Sequence, residues 1–255
     1  MIELPELNRY LCDYLDTERF SDYCVNGIQV EGSKEINRVV TGVSISERLI
    51  KAAINLKADS ILVHHGLFWK SSPHPFELTG FQFNRVKLLI ENNISLLGFH
   101  LPLDAHPEIG NNALIASSLG LHNIEFIELS GMQVPFASCG NLPIPMEFDK
   151  FVLHANHMLE TDGIAFNFND STIKRVYAVS GGAAGYYMDA VNAGADIMVT
   201  GELKEDVVRP AEECGISLFA AGHYNSEKLG IMALGEHLSK KFEIEAKFID
   251  IPNPV

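Results

Sequence analysis

Apolar residues in this 255-residue chain fall into short runs, and their spacing alternates between the periods of helix and strand. Residues 5–15 set Leu7, Leu11, Tyr14 and Leu15 at helical spacing, with Pro5 suited to a first turn. Asn26-Gly27 breaks the chain before a short strand, Ile28-Gln29-Val30. Residues 39–44 read as a strand and 46–56 as a helix, capped by Ser44 or Ser46. Ile61-Leu62-Val63 is a continuous apolar run of the kind buried on both faces of a parallel sheet. Residues 83–92 predict a helix, 94–99 a strand, and 111–119 a helix ended by Gly120.

The second half repeats this order. Residues 175–179 read as a strand, Gly181-Gly182-Ala183-Ala184-Gly185 as a loop and 186–192 as a helix. Ile197-Met198-Val199 is a strand ending at Thr200-Gly201-Glu202. Residues 216–221 form a strand delivering Gly222-His223, and 227–238 a helix. Residues 130–145, with Pro143 and Pro145, read as a turn-rich junction, and 147–160 as a helix.

The halves also align residue by residue. Arg38-Val39 matches Arg175-Val176, and without a gap Ala53, Asn55 and Ala58-Asp59 match Ala190, Asn192 and Ala195-Asp196. On that register His64-His65 falls opposite Gly201-Glu202. With a changed offset Ile94-Ser95-Leu96 matches Ile216-Ser217-Leu218, so that His100 and His223 follow equivalent strands. The expected fold is therefore α/β, with duplicated three-layer halves, mixed sheets and a metal site between the halves. The halves are 1–129 and 130–255, with the last strand able to return to the first.

With 47% hydrophobic and 20% charged residues, the chain has ample core for a globular protein. A net charge of −14 repels a nucleic-acid backbone, which argues against a sequence-reading nucleic-acid-binding role. No apolar run is long enough for a membrane span, and the acidic start lacks the features of a signal peptide. Cys12, Cys24, Cys139 and Cys214 are scattered without a CxxC pair, which points to reduced thiols and a cytoplasmic protein.

Three strand-like runs end in ligand chemistry: His64-His65-Gly66, His100-Leu101-Pro102-Leu103-Asp104-Ala105-His106, and His223-Tyr224-Asn225-Ser226-Glu227. Histidine and carboxylate without cysteine suit Zn, Mn, Fe or Ni, and a pair of such ions is a hydrolytic centre. Adjacent His64 and His65 point to opposite sides of an extended chain, so they suit two neighbouring ions better than one. His223 and Glu227 are four apart and share one face if a helix opens there. Asp104, after Pro102, is expected in a rigid non-helical stretch. Asp104 and Glu227 each carry two oxygens and can bridge.

At these segments the chain resembles the Nif-three-like dinuclear metal-centre family, also labelled type-2 GTP cyclohydrolase homologues. The match runs nearly end to end. It includes Ser21-Asp22-Tyr23, Asn26-Gly27-Ile28-Gln29-Val30-Glu31-Gly32, Val63-His64-His65-Gly66, the His100 to Pro107 segment with Gly110-Asn111-Asn112, Thr200-Gly201-Glu202 and Gly222-His223-Tyr224-Asn225-Ser226-Glu227. The resemblance implies metal ligands at His64, His65, Asp104, His223 and Glu227. It also implies a duplicated α/β subunit and a homohexameric ring. The reaction it implies is hydrolysis of a nucleotide or cyclic amide at two divalent ions of Fe, Mn or Zn. The alternative is a metal-binding regulatory or interaction protein with little turnover.

Each candidate has a plainer reading. Asp104 can be a turn residue and Glu227 a helix-start carboxylate. His100 can be a ligand, an orienting group or a proton donor. Glu202 is either a site-facing proton shuttle or a helix cap. Trp69 packs, or stacks on a substrate base. His106 reads as structural, and His74, His122, His154, His157 and His237 as surface or satisfied polar residues. The 181–185 loop lacks the P-loop lysine and reads as a helix entry.

Overall fold

The computed structural model describes residues 1–71, 77–169 and 172–254, so His74 lies outside the described residues. The chain divides into two compact units, one of residues 1–103 and 230–252, the other of 104–229 and 253–255.

In chain order the first unit opens with β1 (Ile2–Glu3), α1 (Leu4–Tyr14), β2 (Gly27–Val30), β3 (Glu35–Ile36) and β4 (Arg38–Ser44). It continues with α2 (Glu47–Asn55), β5 (Ser60–His65), α3 (Gly80–Glu91) and β6 (Ser95–Gly98). Then α4 (Leu101–Ala105) crosses the division. The second unit holds α5 (Asn111–Ser118), β7 (His122–Glu128), β8 (Pro135–Met146), α6 (Phe148–Leu159), β9 (Ile164–Phe166) and β10 (Ile173–Ala178). After these come α7 (Tyr187–Asn192), β11 (Ile197–Thr200), α8 (Glu205–Glu213) and β12 (Ser217–Ala220). Finally α9 (His223–Phe242) leads back to β13 (Glu245–Phe248), which pairs with β4 in the first unit.

Among the described residues the first unit has a five-stranded sheet in the order β13-β4-β5-β6-β2 and the second a six-stranded sheet in the order β7-β8-β10-β11-β12-β9. The strands β4, β5 and β6 run parallel, as do β10, β11 and β12, while β2 and β9 close the edges antiparallel. The mixed α/β fold expected from the sequence is what the structure shows. Its duplication is carried by hydrogen bonds to backbone carbonyls at equivalent positions. Arg38 Nη1 donates to Leu56 O and Arg175 Nε to Ala193 O. Phe99 N donates to Val63 O at 3.0 Å, and Ala221 N to Thr200 O at 2.8 Å.

Each unit has its own core. Val40, Ile61 and Val63 pack with Leu49, Ile50, Ala53 and Leu89 in the first. Val176, Ala178, Ile197, Val199 and Phe219 pack with Ile115, Phe151 and Leu159 in the second. Burying a side chain of this size stabilises by about 1.5–3 kcal/mol, which is why the apolar runs were legible as strands. Ser46 caps α2, accepting from Leu49 N, and Gly120 ends α5 with φ +72°.

Three expectations need correction. Asp104 lies in a helix, α4, because Pro102 falls in its first turn, where its missing N–H is tolerated. The supposed junction at 130–145 contains the twelve-residue strand β8. Pro143 and Pro145 sit beyond the last β7 partner, Asn141, and within the bulge between the β10 partners Asn141 and Met146, while Pro135 stands at the first position of the strand, opposite Glu128, so the prolines interrupt little of the ladder. The helix at 227–238 begins earlier, at His223.

Candidate metal centre

The candidate side chains lie at the carboxyl ends of the parallel strands, where α/β sheets collect ligands. In the first unit β5 delivers His64 and His65, and His100 follows the neighbouring β6. The pleat directs adjacent Cβ atoms apart, yet the two imidazoles turn toward each other, with ring centroids 4.6 Å apart. This corrects the expectation of opposed side chains. Ring nitrogens of His64, His65 and His100 lie within 4.8 Å of one another.

Each of these rings is held at Nδ1. His64 Nδ1 donates to Phe99 O at 3.0 Å, His65 Nδ1 bonds Ser44 Oγ at 2.9 Å, and His100 Nδ1 donates to Asp22 Oδ1 at 3.0 Å. A carbonyl or carboxylate only accepts, so Nδ1 carries the proton in His64 and His100, which leaves Nε2 as the nitrogen that could hold an ion. Asp22 was not singled out from the sequence, although it stands in a quoted motif. It also accepts from Cys24 N, Asn26 Nδ2 and Leu101 N at 2.9–3.0 Å. Burial pushes its carboxyl up, but His100 and these donors outweigh that and hold it below the ordinary carboxylate range.

Gln29 fixes the turn after the histidine pair. Its Oε1 accepts from Leu67 N and its Nε2 donates to Val25 O, each at 2.7 Å. A Cβ at Gly66 would stand 2.2 Å from Gln29 Nε2, so the glycine after His64-His65 makes room for this side chain. Trp69 donates from Nε1 to Gly66 O, and its ring meets His100 edge-on at 5.2 Å. Burial pushes the neighbouring Cys24 thiol up to about 11, so it stands as a neutral thiol at neutral pH.

In the second unit His223 and Glu227 begin α9, with His223 Nε2 and Glu227 Oε2 3.0 Å apart. The i,i+4 geometry expected of the pair is present. Glu202, just past β11, accepts from His223 Nδ1. Carboxylate oxygens of Asp104 and Glu227 lie within 4.8 Å of each other. Burial alone would lower the His223 imidazole, but hydrogen bonding and charge from Glu227, then Glu202, carry it up to about 9. Gly181, with φ +64°, leaves room for Glu227, since a Cβ there would be 2.4 Å from Oε1. The Gly181 N–H donates to Ser226 Oγ, which donates to His223 O.

The donor chemistry suits a divalent ion. Imidazoles fixed at Nδ1 by an acceptor and carboxylates with hydrogen-bonded partners are the arrangement seen around borderline metals. His64, Asp104 and Glu227 are each nearly inaccessible, which is rare for groups of this polarity unless they are paired or coordinated. The other described histidines behave as ordinary polar residues. His106 Nδ1 accepts from Glu108 N and Ile109 N, His154 bonds Leu119 O, and His237 bonds the Tyr10 hydroxyl.

The chain matches the family described as Duf34/NIF3 (NGG1p interacting factor 3) over residues 2–254. It is 44% identical over 241 residues to a Pseudomonas aeruginosa protein named GTP cyclohydrolase 1 type 2 homolog, covering 94% of each chain. An Escherichia coli protein of the same name is 38% identical over 251 residues, covering 98% of each. The solved structure titled "protein ybgI, unknown function" is 37% identical, with a TM-score of 0.92 and 100% of each chain covered. TTHA1606 from Thermus thermophilus is 32% identical, with a TM-score of 0.90 over 100% of each. With its end-to-end match and these identities, the chain belongs to the Duf34/NIF3 family.

Proposed function

We propose that this protein is a divalent-metal-dependent hydrolase acting on a small nucleotide-like compound or cyclic amide. The proposed ligands are His64, His65, Asp104, His223 and Glu227, for two ions of Fe, Mn or Zn. The observation that carries the reading is the fixing of the candidate imidazoles at Nδ1 by Phe99, Ser44 and Glu202. Histidines that serve only as strand-end polar groups need no such common orientation. The name of the curated relatives, GTP cyclohydrolase 1 type 2 homolog, supports ring hydrolysis as the reaction class.

Ions held by these residues would supply Lewis-acid chemistry, activating a water and polarising a substrate oxygen. The protein's own part is orientation and proton handling. Asp22 holds His100 with its Nδ1 protonated, which makes Nε2 the nitrogen that takes up a proton. Glu202 fixes the ring of His223 and is the second candidate for moving a proton. Trp69, beside His65 and His100, gives an aromatic face for a planar substrate. The subunit is proposed to assemble as a homohexameric ring, on the family resemblance.

Metal-stripped protein reloaded with Mn, Fe or Zn and offered nucleotides, cyclic amides and phosphoesters tests the reading. Turnover only in the loaded samples supports it. Stoichiometric metal without turnover on any of these moves the protein to the second reading, a metal-binding interaction protein, which the family's description as an interacting factor favours.

A further inference from the structure

We propose that Ser180 and Asn111 are positioning residues that fix the Asp104 carboxylate for binding a metal through one oxygen, Oδ2. This rests on the ligand reading of Asp104 given above. The three residues belong to separate segments of the second unit: Asp104 to α4, Asn111 to the start of α5 and Ser180 to the turn after β10. Asn111 Nδ2 donates to Asp104 Oδ1 at 2.7 Å, and Ser180 Oγ donates to the same oxygen at 3.0 Å. Asp104, Asn111 and Ser180 are 3%, 0% and 5% exposed, so water does not compete for these bonds.

A carboxylate on a five-residue helix would otherwise turn freely about its two side-chain torsions. Two donors on one oxygen occupy its in-plane lone pairs and fix the carboxylate plane. An ion is thereby directed to Oδ2. Both donors are neutral. They orient Asp104 without cancelling its charge, whereas Arg or Lys in the same place would compete with a cation. Ser180 is itself held, because its N–H donates to Asn112 Oδ1 at 2.7 Å and Asn112 Nδ2 donates to Phe136 O at 2.8 Å. Adjacent asparagines thus divide the task, Asn111 holding the ligand and Asn112 holding the turn that carries Ser180. Gly110 closes the segment tightly, since a Cβ there would meet His106 O at 2.3 Å and Asp104 O at 2.7 Å.

The test titrates Co²⁺ into the metal-stripped full chain and records both affinity and visible absorption, which reports ligand geometry. Ser180→Ala and Asn111→Ala are compared with Ser217→Ala, which removes another fully buried hydroxyl, one that accepts from Phe168 N in the same sheet. The expected result is Co²⁺ affinity weakened about 10- to 100-fold with an altered spectrum in the first two, as for other groups that orient ligands. Ser217→Ala should keep wild-type affinity and spectrum even where its melting temperature falls. In an Asp104→Ala background, neither substitution should weaken the remaining Co²⁺ binding further. Should Ser180→Ala not fold, Asn111→Leu, which keeps the approximate shape and removes the donor without adding charge, carries the same expectation. Folded variants with wild-type affinity and spectrum overturn the proposal and leave the metal reading intact. A wild-type chain that binds no Co²⁺ overturns the metal reading, and the positioning role with it.

Discussion

Asp59 and Asp196 make the same pair of bonds in the two units. Asp59 Oδ2 accepts from the backbone N–H groups of Asn37 and Arg38 at 2.8 Å each, and Asp196 Oδ2 accepts from those of Lys174 and Arg175 at 2.8 and 2.7 Å. Each aspartate precedes the second parallel strand of its sheet and pins the start of the first. Replacing either by Ala leaves two strand-start N–H groups without this acceptor and should cost about 1–3 kcal/mol. Urea denaturation checks this, and unchanged midpoints for both variants would count against the shared role.

The ligand assignment predicts about two divalent ions per chain, as in other two-metal sites. His64→Ala, Asp104→Ala and Glu227→Gln should each lower metal content as read by elemental analysis. Stoichiometry that stays at the wild-type value through all three would sink the assignment.

His223 makes metal uptake and stability depend on pH. Its imidazole stands at about 9 in the metal-free fold, against an ordinary 6.5. The stability it contributes is therefore complete below about pH 6.5, declines as pH rises and is gone above about pH 9. Chelator-treated protein should melt at a lower temperature at pH 9.5 than at pH 6.5, and His223→Asn should flatten that part of the slope. Metal must displace the same proton, so affinity should rise across this window with proton release seen by calorimetry. A flat affinity profile would contradict it.

Glu202→Gln separates two roles for one residue. If Glu202 chiefly orients His223, metal affinity should drop about 10- to 100-fold. We expect that result, because the carboxylate is bonded to His223 Nδ1. Full metal occupancy with turnover down about 10²–10⁴-fold would instead assign it to proton transfer.

Asp22→Asn should destabilise the first unit by about 1–3 kcal/mol, because an amide nitrogen replaces one of two oxygens that receive N–H donors. Because the folded carboxyl is held low, the stability it supplies is present above the ordinary aspartate range and is lost as pH falls through the folded value. The variant's acid-unfolding curve should lack that component. A wild-type acid limb in Asp22→Asn would argue against it.

Assembly is a simple measurement. Six subunits of 28.2 kDa are expected in one particle, and light scattering that finds a stable monomer at micromolar concentration would overturn the ring.

The parallel strands and the residues that follow them were legible from residue order alone. Runs such as Ile61-Leu62-Val63 and Ile197-Met198-Val199 bury both faces of a sheet, so their apolar continuity survives without any knowledge of neighbours. The duplicated Arg and Asp positions were equally plain, because backbone contacts within one strand-helix-strand unit are local. What escaped were elements whose identity depends on partners. The strand β7 is largely polar and exposed, β8 carries prolines, and α8 contains Pro210, so local propensity argued against each. How the candidate ligands are held depends on the assembled fold. Asp22 meets His100 across 78 positions, and Ser180 meets Asp104 across 76. No periodicity encodes such a pairing. A hydrogen bond of that range exists only after strand packing has brought the segments together, and so His100 and Asp104 could be named from the sequence while Asp22 and Ser180, which orient them, could not.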